Sequence, residues 1–435
     1  MALNFSLIET FITDRRERMG DKTLMRHERY RMLSELARKL QSTLRNFEIF
    51  DSEFASIVVD AIERATDTSE LNTCHKLALA KIKAFFNEEE TIIDVHDLLR
   101  IVRDRLTIKV LELAENEMVR EGYGTAPARY LWAGLGSEGR DEQTIVTDQD
   151  NLIIYSDKDG EFAKKELRDA CYEYLKNKNS KVSRNKLTFR ECLACWFEVF
   201  SVKASDMLHA VGFERCKGGV MAANDKWRGS LADWKERVEA RMTYEQGVLD
   251  PLDLIILTDA RAIHGDAALL DEFLQHFFAM LSENKRVMKE FIQSAVVMPS
   301  ALSFFGNFKV EKEGEHKGKF NMKLFGWAPL ILSVRMTSLA NGIYEKNTIK
   351  RIKLLRRQRV IKKDMEKDLI DAYCIFVRFR LMNQIGAGDA NVQDAHYLRP
   401  DMLGQGEQEK LRKAMKTVES FQKYMQETLL FGQAF

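Results

Sequence analysis

Asp148 and Asp150 are one residue apart, and Gly136-Ser137 precedes them, with Ser137 eleven residues before Asp148. In an extended chain positions i and i+2 face the same side, so the two carboxylates converge on one point. Two unpaired acids at that separation repel and call for a cation. Magnesium, held through one or two carboxylates plus substrate phosphates, fits such a pair. Where two ions are bound, about 3.5–4 Å apart, they stabilise both the attacking and the leaving oxygen. Gly136 lets the backbone come close to a phosphate, and Ser137 opens a helix whose free N–H groups favour an anion. Arg140 shares the face of Gly136 and Ser137 one turn on and can offer a guanidinium fork to phosphate oxygens. Together these residues suit nucleotidyl transfer.

The flanking elements must aim them. Leu131 to Leu135 is an apolar run that ends in the glycine turn, and Leu152 to Tyr155 is a second apolar run directly after the acids. The order is therefore strand, turn, short helix, then a strand with paired acids at its start. A third carboxylate commonly joins such a site from a neighbouring strand. Leu254 to Leu257 reads as that strand, which makes Asp259 the third acid, as metal ligand or as acceptor of a hydroxyl proton. Arg261 then meets phosphate or holds Asp259. His264 reads as structural.

Each residue alone has a plainer reading. Asp148 suits a cap, Arg140 a solvated helix face, and Asp259 a loop or cap. The combined pattern favours chemistry. Gly134-Leu-Gly136-Ser-Glu-Gly139 also matches the dinucleotide fingerprint, with Asp157 near the distance of its ribose-binding acid. That reading requires a βαβ unit and leaves the acids Asp148 and Asp150 facing a pyrophosphate.

At these residues the chain resembles the nucleotidyltransferases of the polymerase-β-like superfamily, relatives of the PII-protein uridylyltransferase that are often fused to CBS or cyclic-nucleotide-binding domains. The resemblance rests on Gly136 to Gln143 with Thr147 to Asn151, on Gly212 to Asn224 leading to Trp227-Arg-Gly-Ser230, and on Asp259 to Asp266. Phe304-Phe-Gly306, Gly318 to Lys323 and Arg380 to Gln384 resemble the family's helical, C-terminal substrate-binding domain. Across residues 30–430 this implies phosphate anchoring by Gly136 and Ser137, metal binding by Asp148, Asp150 and Asp259, and a Gly218-Gly219 loop near the nucleotide or acceptor. Asn321 departs from the pattern, standing where an acid is expected, and no CBS or cyclic-nucleotide domain is evident at the N-terminus.

A chain of 435 residues is long enough for two or three domains. Five prolines and 31% charged residues fit a largely helical protein. The expected class is α+β and mostly helical: an N-terminal helical bundle over 1–122, a catalytic domain with a small mixed sheet over 123–267, and a C-terminal helical domain over 268–435. Leu33, Leu36, Leu40 and Leu44 keep helical spacing, as do Phe54, Ile57, Val58 and Ile62; further helices run from Leu71 to Phe86 and from Ile93 to about Arg120. Gly122 to Pro127 breaks the pattern. Ser230 with Asp233 caps a helix to about Met242. The Gly- and Lys-rich stretch 305–323 reads as a hairpin or mobile loop, and the basic run Lys350 to Arg359 as a solvated helix face.

Lys and Arg total 67 against 66 acids, a net charge of +1. This balance counts against nucleic acid as partner. No apolar run reaches the length of a membrane span and no signal peptide is evident. Six dispersed cysteines suggest thiols in a reducing cytoplasm, with Cys192 and Cys195 packed in a helix core. The expected activity is transfer of NMP from an NTP, with Mg2+ or Mn2+, to an acceptor hydroxyl on a regulatory protein or small molecule. A second copy of the chain is a further candidate partner. The alternatives are a catalytically silent nucleotide sensor, an interaction scaffold, and a Rossmann oxidoreductase.

Overall fold

The computed structural model describes residues 30, 33–35, 37, 54, 58–89, 91–146, 148–157, 165–178, 183, 186–244, 246–299, 302, 307–386 and 396–430. The readings made for Leu36, Leu40, Leu44, Ile57, Thr147 and 304–306 lie outside these. The chain divides into two units, 1–61 and 62–435. In the first, 33–35 is helical. Everything below concerns the second.

Two long helices come first, α1 (Thr68–Glu89) and α2 (Ile92–Arg120). They bury Leu71, Ala78 and Ile82 from α1 and Val102, Leu106 and Val110 from α2. Both pack on α5 (Phe189–Val211). The chain then enters β1 (Tyr130–Gly134), a single short turn α3 (Gly136–Gly139), β2 (Asp148–Gln149) and β3 (Asn151–Tyr155). After α4 (Lys165–Asn177) and α5 come β4 (Glu214–Arg215), β5 (Arg228–Ser230), α6 (Leu231–Tyr244), α7 (Pro251–Leu257) and β6 (Arg261–Gly265).

Four strands form a mixed sheet in the order β5-β3-β1-β6. β1 runs antiparallel to β3 and β6, and β3 runs parallel to β5. β1 and β3 are buried along their whole length. Tyr155 stacks on Phe197 of α5, ring centroids 4.4 Å apart, and Tyr130 meets Phe200 edge-on. α5 therefore covers one face of the sheet. The antiparallel β1–β3 pair also rules out the βαβ unit of a dinucleotide fold. Asp157 has another use: its carboxylate accepts the Ala232 N–H at the start of α6. Ser230 and Asp233 close the capping box expected there.

One expected strand is a helix. Leu254 to Leu257 lies in α7, which Asp250 and Asp253 open as a reciprocal capping box with Pro251 in the first turn. A short apolar run has no period of its own, and the cap decides its fate.

The C-terminal part is α8 (Ala267–Glu283), α9 (Lys285–Val296), β7 (Phe320–Asn321), a wide π-type turn at Lys323–Trp327, α10 (Ala328–Ala340), α11 (Thr348–Arg357), α12 (Lys363–Gly386), β8 (Tyr397–Leu398) and α13 (Gln405–Met425). Phe376, Met415 and Phe421 fill the core between α10, α12 and α13. Gly326 lets the π-type turn lie against Phe376, whose ring would be 2.7 Å from any Cβ there. Within 305–323 the backbone folds back on itself through Glu311 and Lys319, 2.9 Å, as a hairpin does. Among the described residues, the mostly helical α+β class holds, and no helix is long and apolar enough to cross a membrane.

Candidate active site

The β1–β3 register pairs Gly134 with Asn151, which brings the turn after β1 against the acids before β3. The Leu135 N–H donates to the Asp150 carbonyl at 2.8 Å. Gly136 has φ +53°, and a Cβ on it would lie 2.7 Å from Asp150 Oδ2. Only glycine lets the turn and the carboxylate lie this close. Gln149 points the other way: its amide donates to the Ser205 and Phe213 carbonyls, both at 3.1 Å, and it accepts from Ser205 Oγ at 3.0 Å. With Gln149 bound to α5 and the residues after it, Asp148 and Asp150 share the opposite side of the chain. Both are half-buried, as are Gly136 and Ser137, whereas Glu138, Gly139 and Arg140 are buried.

Removal from water pushes the Asp150 carboxyl up to about 7, with the Asp148 and Glu138 charges adding to the rise. A thiol hydrogen bond from Cys216 opposes it. Cys216 begins the loop of Gly218 and Gly219, and its own thiol is pushed up to about 12 by burial and by Asp150. Asn151 ties that loop down, donating its N–H to Val220 O at 3.0 Å and accepting the Ala222 N–H at 2.8 Å. Gly219 takes φ +71°. The Gly218-Gly219 loop therefore starts beside Asp150.

Asp259 and Arg140 require correction. Asp259 is fully buried and not part of the acidic pair. Its carboxylate accepts from Arg140 at 2.6 Å and Arg335 at 2.5 Å, and Arg351 lies 3.4 Å away. Enclosed by three guanidinium groups and fully buried, its charge is taken up inside the protein. Arg140 is equally committed: besides Asp259 it donates to Glu142 at 2.8 Å, and its guanidinium lies over Trp327. It does not face a phosphate. Arg261 grips Asp104 with both terminal nitrogens, at 2.8 and 2.9 Å. Among the described residues no group of three or more His, Cys, Asp or Glu side chains is arranged to hold a metal. Asp148 and Asp150 still suit a hard divalent cation as a carboxylate pair, its other ligands coming from substrate.

Family models match two regions. One, described as "Putative nucleotidyltransferase DUF294", matches residues 78–185 and 183–247; the other, "Putative nucleotidyltransferase substrate binding domain", matches 285–429. The chain belongs to this nucleotidyltransferase family. Comparison with curated proteins gives no match. The first region holds Gly136, Ser137, Asp148, Asp150, Gly218 and Gly219, while Asp259 falls between the two regions.

The second region of this family member completes the surroundings of the acids with residues to which the sequence alone assigned no role. Gln384 of α12 accepts the Val146 N–H at 3.3 Å and donates to Thr144 Oγ1 at 3.0 Å. Thr348 donates its N–H to Glu142 at 2.5 Å, and Asn347 reaches the Arg140 carbonyl at 3.1 Å. Arg351, read as part of a solvated face, is fully buried, although Lys353 and Arg357 beside it are exposed as expected. Lys323 is open to solvent; crowding by protein atoms and by Arg380 lowers its ammonium, and Asp148 and Asp150 oppose that shift. Burial lowers Arg380 to about 10 against the pull of Asp148. In the sequence Lys323 and Arg380 stood out only as members of the two segments, Gly318 to Lys323 and Arg380 to Gln384, that resemble the C-terminal domain.

Proposed function

We propose that the protein is a divalent-metal-dependent nucleotidyltransferase that moves NMP from an NTP to an acceptor hydroxyl. The observation that carries this reading is the pair Asp148 and Asp150, set against the Gly136 turn. Asp148 and Asp150 would hold Mg2+ or Mn2+, which when bound supplies Lewis-acid stabilisation of the reacting phosphate oxygens. Gly136 and Ser137 seat the triphosphate, Gly136 lying directly against the Asp150 carboxylate. The acceptor hydroxyl loses its proton to solvent as its oxygen bonds to the α-phosphorus, the bond from that phosphorus to the α,β-bridging oxygen breaks, and pyrophosphate leaves with the electron pair. The exposed Gly218-Gly219 loop borders the acceptor side. The acceptor is a regulatory protein of the PII kind or a small molecule, and the setting is cytoplasmic.

The test is incubation with each α-labelled NTP, Mg2+ or Mn2+, and lysate of the source cell. Label is expected in a protein or small-molecule fraction. Asp148→Ala should abolish transfer with the thermal midpoint near wild type; retained transfer would refute the site. One observation favours a second reading. With Asp259 enclosed by arginines, no third acid joins Asp148 and Asp150 among the described residues, which suits a sensor that binds nucleotide without turning it over. Metal-dependent NTP binding with no labelled product would select it.

A further inference from the structure

Three side chains of the C-terminal region come together at one junction, each from a different part of the chain. Lys323 opens the π-type turn that ends at Trp327. Arg380, on α12, lies over the Trp327 ring at 4.9 Å, which fixes it beside that turn. His396 directly precedes β8, whose antiparallel pairing of Asn321 with Tyr397 sets it next to Met322 and Lys323. Asn383, one turn beyond Arg380, donates to the Tyr397 carbonyl at 3.0 Å and closes the junction. Arg380 and Gln384 lie on one face of α12. Because Gln384 holds Val146, two residues before Asp148, α12 lies against the segment that leads to the acids, with Arg380 one turn from that contact.

Two buried atoms of this junction have no hydrogen-bond partner among the described residues. They are Arg380 Nε and His396 Nδ1, on side chains only 7% and 8% exposed. A buried guanidinium nitrogen left without an acceptor is costly, and such a group in a cleft calls for an anionic one. The surroundings are cationic: Arg380 and Lys323 both act electrostatically on His396, and Arg380 acts on Lys323. Lys323 is the exposed member of the three.

We propose that Lys323 and Arg380 form the polyphosphate-binding wall of the site, holding the β- and γ-phosphates of the NTP, and after transfer the pyrophosphate, across from Asp148 and Asp150. This rests on the metal–nucleotide reading of the acid pair. It assigns the C-terminal domain to the nucleotide rather than to the acceptor. Arg380 offers a fixed donor fork held by Trp327, and Lys323 an exposed, mobile point charge.

Calorimetric titration of the full chain with tripolyphosphate, with each NTP and with each nucleoside, all in Mg2+, tests the assignment. Lys323→Met and Arg380→Met should each weaken tripolyphosphate and NTP at least tenfold, leave nucleoside affinity within twofold, and Lys323→Arg should recover most of the loss. Arg380→Met removes a buried stacking partner, so Lys323→Met, at an exposed position, decides the matter if the former fails to fold. Unchanged affinity in Lys323→Met, with Mg2+-dependent binding lost in Asp148→Ala, would overturn the wall and leave the acid site standing. Wild-type protein that binds neither any NTP nor tripolyphosphate would overturn both.

Discussion

Gly136 is the position where a single methyl group has the most to disturb. A Cβ there would claim the space of Asp150 Oδ2, so Gly136→Ala should rotate that carboxylate away. Transfer should fall at least a hundredfold, while the melting temperature moves only a few degrees because the turn lies at the edge of the cleft. A variant with near-normal activity would show that Asp150 need not hold this rotamer. Asp259 predicts the opposite pattern. Asp259→Ala leaves Arg140, Arg335 and Arg351 buried without their shared counter-charge, a loss of roughly 3–5 kcal/mol, which urea unfolding should register directly. Stability within 1 kcal/mol of wild type (about the scale of an exposed ion pair) would show that the cluster is not a structural hub. The contrast shows what local spacing can reveal. The closeness of Gly136 to Asp150 could be read locally because Gly136, Asp148 and Asp150 lie within fifteen residues, in the turn after β1 and in the short stretch that leads into β3. The role of Asp259 was misread because its partners Arg335 and Arg351 lie 76 and 92 residues downstream.

Among the elements, β1 and β3 were legible from apolar runs ended by turn residues, and α2 and α6 from periodicity and a capping box. α7 was not, although the signal was present in Asp250-Pro251 followed by Asp253. The packing of α1 on α5 has a pH consequence that no periodicity reveals. His75 of α1 is buried and bonded through Nδ1 to the Val211 carbonyl at 3.0 Å, and burial lowers its imidazole from 6.5 to about 4. The folded state thus binds fewer protons than the unfolded chain between those values. Stability is full above about pH 6.5 and falls as pH drops towards 4, by roughly 3 kcal/mol at about 1.4 kcal/mol per pKa unit. Burial lowers His96 and His396 in the same sense. Thermal midpoints measured from pH 7 to 4 should decline, and His75→Gln should flatten the slope; an unchanged slope would remove His75 from the account.

For the molecule as a whole, the charges around the acid pair set the response to metal. Lys323 interacts with Asp148 and Asp150, and Arg380 with Asp148, so the acid pair is not a bare concentration of negative charge. Chelation with EDTA should therefore leave the thermal midpoint within about a degree, whereas Mg2+ with NTP at a hundred times Kd should add about 2.7 kcal/mol. A large fall with EDTA alone would instead indicate a structural metal.

Gln384 meets Val146 across 238 residues of chain. A ribosome delivers the glycine turn and both acids long before the side chains that brace them. Until α10 to α12 have emerged, Asp259 has no Arg335 or Arg351, and the stretch from Arg140 to Val146 has no outer wall. The nascent chain therefore carries its acids unbraced through much of its own synthesis. A transcript cut short between codons 150 and 384 would yield a product with the whole Gly136–Asp150 motif and without the Gln384 brace on Val146.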